Sequence, residues 1–165
     1  KPGVGKTSVI KKILPLVGMN AGGFFTEEIR VMERRMGFRI VTLDGTDGIL
    51  AHSECNSNYK VGKYRVDLDS FEKVAIPALE DAIKNKSIVV IDEIGTMELF
   101  SMRFKELVSK ILNSEKTLLC TIKENGDAFT EDIKKRKDVI LVTVNYENRE
   151  ILPEKVFEML RTTKK

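Results

Sequence analysis

The sequence is poor in the features that mark specialised classes of protein. It holds two cysteines, Cys55 and Cys120, far apart and in no C-x-x-C pair. No disulfide framework follows, and a reducing cytoplasm is the expected compartment. His52 and Cys55 form an isolated H-x-x-C without the second ligand pair that a four-ligand zinc site requires. No apolar run approaches the roughly 20 residues of a membrane helix, so no membrane partner is expected. The start of the chain does not resemble a secretory signal. The net charge of +3 is too small to imply nucleic-acid binding by itself. Repeats, low-complexity tracts and linkers are also missing, so residues 1–165 read as one domain.

What the chain does have is punctuation by helices and buried strands. Thr7 to about Val17 reads as a helix that Pro15 should end or kink. Phe24–Val31, Gly37–Leu43 and Gly48–His52 read as an antiparallel meander, followed by a loop over Ser53–Tyr64. Asp69 and Glu72 form a capping signal for a helix to about Lys84, with a kink expected at Pro77. Ile88–Ile91 reads as a strand buried on both faces. Ser101–Asn113 is an amphipathic helix pattern. Thr117–Ile122 and Val139–Val144 are further strands, separated by a helix near Asp127–Lys135. A last helix carries Val156, Phe157 and Leu160. Helices alternating with apolar strands predict an α/β fold, a mostly parallel sheet in a three-layer αβα arrangement, with the meander inserted near residues 24–52.

The first chemical signal is at the start. Lys1-Pro2-Gly3-Val4-Gly5-Lys6-Thr7 fits the last seven places of the G-x-x-x-x-G-K-[ST] phosphate loop. The first Gly of that pattern would fall one place before Lys1, and a strand of roughly five to ten residues is expected ahead of it. Glycines let successive backbone N–H groups face one small anion, and the helix that follows presents its positive end. Residues Lys1 to Ser8 are therefore the candidate nucleotide-binding segment, with N–H donors at Gly3, Val4, Gly5, Lys6, Thr7 and Ser8. Lys6 would reach the β- and γ-phosphates, and the Thr7 hydroxyl would coordinate Mg²⁺.

The second signal is Ile88-Val89-Val90-Ile91-Asp92-Glu93, an apolar strand ending in two acids. Ligands of parallel sheets sit beyond the carboxyl ends of the strands. If this strand neighbours the one expected before Lys1, Asp92 would hold Mg²⁺ with Thr7, and Glu93 would orient and deprotonate an attacking water. The catalytic candidates are thus Lys6 and Glu93.

Weaker features keep two readings each. Thr121 is either a donor to phosphate or water, or a β-branched strand residue. Glu27 and Glu28 face either a metal or solvent. Glu98 complements a helix start more readily than it does chemistry. Arg30, Arg34, Arg35, Arg136 and Arg149 are candidate cations for the γ-phosphate. The run Lys134–Lys137 is either a nucleic-acid patch or a solvated helix end, and it alone favours a nucleic-acid partner.

These residues together resemble a known family. Pro2–Thr7, Gly23-Phe24-Phe25-Thr26-Glu27-Glu28, Gly37-Phe38, Ile40–Leu43, Val61–Tyr64, Asp92-Glu93-Ile94-Gly95 with Met97-Glu98-Leu99, and Glu147-Asn148-Arg149 are similar to the nucleoside-triphosphatase family of thermophilic archaea and bacteria. That family also includes the human cancer-related nucleoside-triphosphatase. The resemblance implies a P-loop fold with an extra strand between phosphate loop and acidic strand. It implies Mg²⁺-dependent hydrolysis of ATP, GTP, CTP and UTP to diphosphate and phosphate, with broad base tolerance. It implies base or ribose contact at Asn148 and Arg149. One departure is Thr96, where the family commonly has Lys. Two rival readings use the same loop: a kinase for a nucleotide, small molecule or polynucleotide end, and a nucleotide-gated module that binds nucleic acid or protein.

Overall fold

A computed structural model describes residues 3–162. The element order is α1 (Lys6–Val17), β1 (Ala21–Val31), β2 (Arg34–Thr42), β3 (Asp47–His52), β4 (Lys60–Val61), β5 (Tyr64–Val66), α2 (Leu68–Asn85), β6 (Ile88–Ile94), α3 (Met102–Leu112), β7 (Thr117–Ile122), α4 (Ala128–Lys134) and α5 (Leu152–Thr162). The strands form one mixed sheet in the order β4-β5-β3-β2-β1-β6-β7. The ladders β1–β6 and β6–β7 are parallel, and the meander ladders β1–β2, β2–β3, β3–β5 and β4–β5 are antiparallel. No described helix is long and apolar enough to cross a membrane.

Alternation along β6 explains the three layers. Val89 and Ile91 pack with α2 and α3 side chains, including Phe71, Leu79, Phe104 and Val108. Val90, between them in sequence, packs on the other face with Val9, Ile10 and Ile13 of α1 and Leu152 of α5. A strand buried on both faces has no polar alternation to show, which is why its sequence is continuously apolar. On the α2/α3 side, Phe24, Phe71 and Phe104 meet pairwise, with ring centroids 6.0, 6.1 and 5.5 Å apart. These are separations at which edge and tilted ring contacts are favourable.

Pro15 and Pro77 sit inside α1 and α2, which end at Val17 and Asn85, within a residue of the expected ends. Other boundaries depart from the expectations above. The cap of α2 is Asp67, whose side chain accepts from the Ser70 backbone N–H at 2.9 Å, not Asp69. The segment after β3 is not wholly loop, because β4 and β5 extend the meander. Residues 139–144 join no ladder among the described residues, although their sequence is strand-like. A strand exists by its hydrogen-bond partner, and propensity alone does not supply one. The acidic strand β6 lies between β1 and β7, so the place beside it is taken by Thr117–Ile122.

The aromatic trio predicts the weight of the α2/α3 core. Phe71→Ala should cost about 3–5 kcal/mol of unfolding free energy. Chemical denaturation checks this, and a loss below about 1 kcal/mol would mean that the sheet does not depend on this face.

Candidate functional site

The site is built where the N-terminus of α1 meets the carboxyl end of β6. Gly5 starts α1 in the left-handed region, at φ 101°, a conformation glycine adopts without steric cost. The first turn of α1 carries no acidic residue. Its free N–H groups at Lys6, Thr7 and Ser8 therefore face outward beside positive helix-dipole charge.

At β6 the ladder to β7 is irregular. Ile91 pairs with Cys120 and Ile94 with Ile122, so Asp92 and Glu93 together face the single residue Thr121. A regular strand would send neighbouring side chains to opposite faces. A bulge re-aims them, and here both carboxylates reach the start of α1. Thr7 Oγ1 donates to Asp92 Oδ2 at 2.7 Å. Lys6 Nζ lies 3.2 Å from Glu93 Oε2. The peptide between the two acids is cis.

Asp92 is completely buried. Burial pushes its carboxyl above the ordinary range, and the nearby Glu93 charge adds to this. Hydrogen bonds oppose the rise. Thr121 Oγ1 donates to Asp92 Oδ1 at 2.5 Å, Thr7 donates to the other oxygen, and the Thr26 backbone N–H also donates. Thr121 thus serves Asp92. Thr26 contributes through its backbone. Glu27 and Glu28 do not enter the site. Glu27 pairs with Lys11 and Arg39, and Glu28 with Arg30 and Arg35.

Glu98 belongs to this neighbourhood more closely than its sequence position suggested. It is buried in a short 3-10 turn over Glu98–Phe100, and the backbone N–H groups of Glu98 and Gly95 donate to its carboxyl. A Cβ on Gly95 would lie 2.8 Å from Glu93 Oε1 and 2.9 Å from Glu98 Oε2, so glycine is required for the two carboxyls to flank that point. Burial, with the charges of Glu93 and Asp92 adding to it, pushes the Glu98 carboxyl up to about 8 from an ordinary 4.5. The signal available in the sequence was a Glu six places after Asp92 on a tight glycine turn, which is too common to stand out.

Of the candidate arginines, only Arg149 is against the phosphate loop. Its Cδ and Nη1 lie 3.3 and 3.9 Å from the point a Gly5 Cβ would occupy. Arg136 instead donates to Leu112 O, Asn113 and Asp138, closing the end of α3. Lys134 donates to Glu124 O and Glu131, so the basic run is partly spent on local structure. Lys123, not singled out in the sequence, donates from Nζ to Thr96 Oγ1 at 2.9 Å and brings a cation to the Thr96 turn. Lys1 and Pro2, included in the loop by sequence pattern, lie outside the described residues.

An oxygen pair made by a hydroxyl and a carboxylate suits Mg²⁺, which takes few protein ligands and completes its shell with water and phosphate. Thr7 and Asp92 supply such a pair at hydrogen-bond distance. No group of three or more His, Cys, Asp or Glu side chains able to hold a metal occurs among the described residues.

A family model described as NTPase matches residues 1–157. The chain belongs to this nucleoside-triphosphatase family. It is 48% identical over 161 residues to the nucleoside-triphosphatase THEP1 of Thermotoga maritima, covering 98% of this chain and 92% of that protein. It is 40% identical over 184 aligned positions to the human cancer-related nucleoside-triphosphatase, covering 99% and 95%. The crystal structure of THEP1 from Aquifex aeolicus superposes with a TM-score of 0.91 at 37% identity, covering 97% of this chain and 95% of that one. The solution structure of the human NTPase gives 0.83 at 38%, covering 100% and 96%. The mixed α/β architecture is thus that of the NTPase family.

The buried Glu98 generates a pH prediction. Its folded-state pKa lies above the unfolded value, so the folded protein holds the extra proton between about 4.5 and about 8. Stability is therefore lost as pH rises through that window. Glu98→Gln keeps the shape without the ionisation. Its melting temperature should match the wild type near pH 4.5 and exceed it increasingly toward pH 8. Parallel melting curves across the window would show that Glu98 ionises without penalty.

Proposed function

We propose that this chain hydrolyses nucleoside triphosphates, ATP, GTP, CTP and UTP among them, to diphosphate and phosphate at the junction of α1 and β6, with Mg²⁺. Membership of the NTPase family supports the reaction. The observation that carries the residue roles is the double contact of Lys6 with Glu93 and of Thr7 with Asp92.

The backbone N–H groups of Gly3 to Ser8 bind the phosphate oxygens at the positive end of α1. Lys6 leaves its pairing with Glu93 and turns to the β- and γ-phosphates. That exchange frees the Glu93 carboxylate next to the reacting phosphorus. Glu93 then orients a water and takes its proton as the water oxygen attacks the γ-phosphorus. The bond from that phosphorus to the β–γ bridging oxygen breaks, and the diphosphate leaves with the bond's electrons. Thr7 and Asp92 would hold Mg²⁺, whose contribution when bound is to neutralise charge on the β- and γ-phosphate oxygens. Thr121 fixes Asp92 from the far side. Arg149, packed against Gly5, would reach the nucleotide from that side.

Three preparations test this. Wild type should release phosphate from all four nucleotides with Mg²⁺ and stop in EDTA. Glu93→Gln should keep nucleotide binding and lose about 10²–10⁴-fold in turnover. Lys6→Ala should lose both affinity and turnover. Wild-type turnover in Glu93→Gln would remove Glu93 as the base. Transfer of labelled γ-phosphate to another acceptor would replace the hydrolase reading with the kinase one.

A further inference from the structure

Tyr146 stands out among the exposed aromatic residues because its ring faces a cation that lies against the phosphate loop. It is 67% exposed. The Arg149 guanidinium carbon lies 5.2 Å from its ring centroid, in cation–π contact. The same guanidinium side chain rests on Gly5. The ring is therefore one side chain away from the anion-binding turn.

The segment that carries the ring is cross-braced. Asn145 Oδ1 accepts from the backbone N–H groups of Glu147 and Asn148 at 3.0 and 2.9 Å. Asn148 Oδ1 accepts from Asn145 N at 2.9 Å, and its Nδ2 donates to Thr143 O at 2.8 Å. Glu150 pairs with Lys12 of α1, and Leu152 packs with Val9 and Ile13. The segment is thus bolted to the helix that begins at the phosphate loop. A large apolar ring left in water gains nothing for the fold. An aromatic ring on a braced segment, backed by a cation beside a phosphate site, matches what a stacked nucleobase needs.

We propose that Tyr146, braced by Arg149, is the stacking platform for the base of the bound nucleoside triphosphate. This rests on the hydrolase reading above and adds the base subsite to it. Stacking uses the face of the ring system and every base has one, so a platform of this kind accepts purines and pyrimidines alike. Nothing in the pairing of Tyr146 and Arg149 reads the edge of a base. Asn148 is turned away from that role, since its amide is committed to its own segment.

The test separates base from phosphate by using inorganic tripolyphosphate, which has no base, as a competitive inhibitor of ATP hydrolysis. Tyr146→Ala should raise KM for ATP, GTP, CTP and UTP each about tenfold. The inhibition constant of tripolyphosphate should move far less, and Tyr146→Phe should return KM toward the wild type. Unchanged KM values in Tyr146→Ala, or a parallel rise in the tripolyphosphate constant, would overturn the proposal. A second measurement does not depend on turnover. The sequence has no tryptophan, so Tyr146→Trp introduces a single indole reporter. Its fluorescence should change with ATP and not with tripolyphosphate. The same response to both, or to neither, would overturn the base platform even if hydrolysis itself failed.

Discussion

The structure turns on the contact between the first turn of α1 and the end of β6. Thr7 donates to a carboxylate that has no exposure to water. Burying a charged group is expensive unless hydrogen bonds replace its hydration. Asp92 has three such donors, from α1, β7 and β1. Each of the three comes from a different element, so the carboxylate ties together the parts of the fold that must be in register for the site to exist. The layers on either side of β6 then hold that register by packing, with Val90 against α1 and Val89 and Ile91 against α2 and α3.

The same arrangement suits the two adjacent acids to the different roles proposed for them. The bulge opposite Thr121 lets both reach α1, but their surroundings differ. Asp92 is buried under the Thr7 and Thr121 hydroxyls, placed to share a metal with Thr7 and not to take a proton from water. Glu93 is part-exposed and paired with a flexible lysine that a phosphate would attract away. Beside it, Glu98 is buried and protonated over much of the neutral range, and Gly95 leaves just enough room for both. A charged Glu98 would add a second negative charge next to Glu93. Its protonation keeps the local field at one acid fewer.

Legibility from sequence followed the range of the interaction. Thr117–Ile122 was predicted with the boundaries β7 has, because a short apolar, β-branched run needs only local pattern to be read. The phosphate loop and the Asp92-Glu93 strand end were also legible, since each is a contiguous string with its own chemistry. What sequence left open was set by distant partners. Nothing local tells Arg149 from Arg136, yet one rests on Gly5 and the other closes α3. The role of Thr121 is open in the sequence and depends on its hydrogen bond to Asp92 across the β6–β7 ladder. Residues 139–144 look like a strand but lack a described neighbour to pair with. Pro15 and Pro77 lie inside α1 and α2, where packing of the apolar faces outweighs the lost hydrogen bond. Asp67 outcompeted Asp69 as a cap by a difference of two residues, below what capping patterns resolve.

The central claim is that Thr7 and Asp92 act as one unit on the metal. Its most direct measurement is the Mg²⁺ dependence of phosphate release in Thr7→Ala, Asp92→Asn and the double variant, compared with wild type. The account predicts that each single substitution raises the Mg²⁺ concentration needed for half-maximal rate. It also predicts that the double variant is much less impaired than the product of the two effects. Single variants with the Mg²⁺ dependence of wild type, or effects that multiply independently, would contradict it.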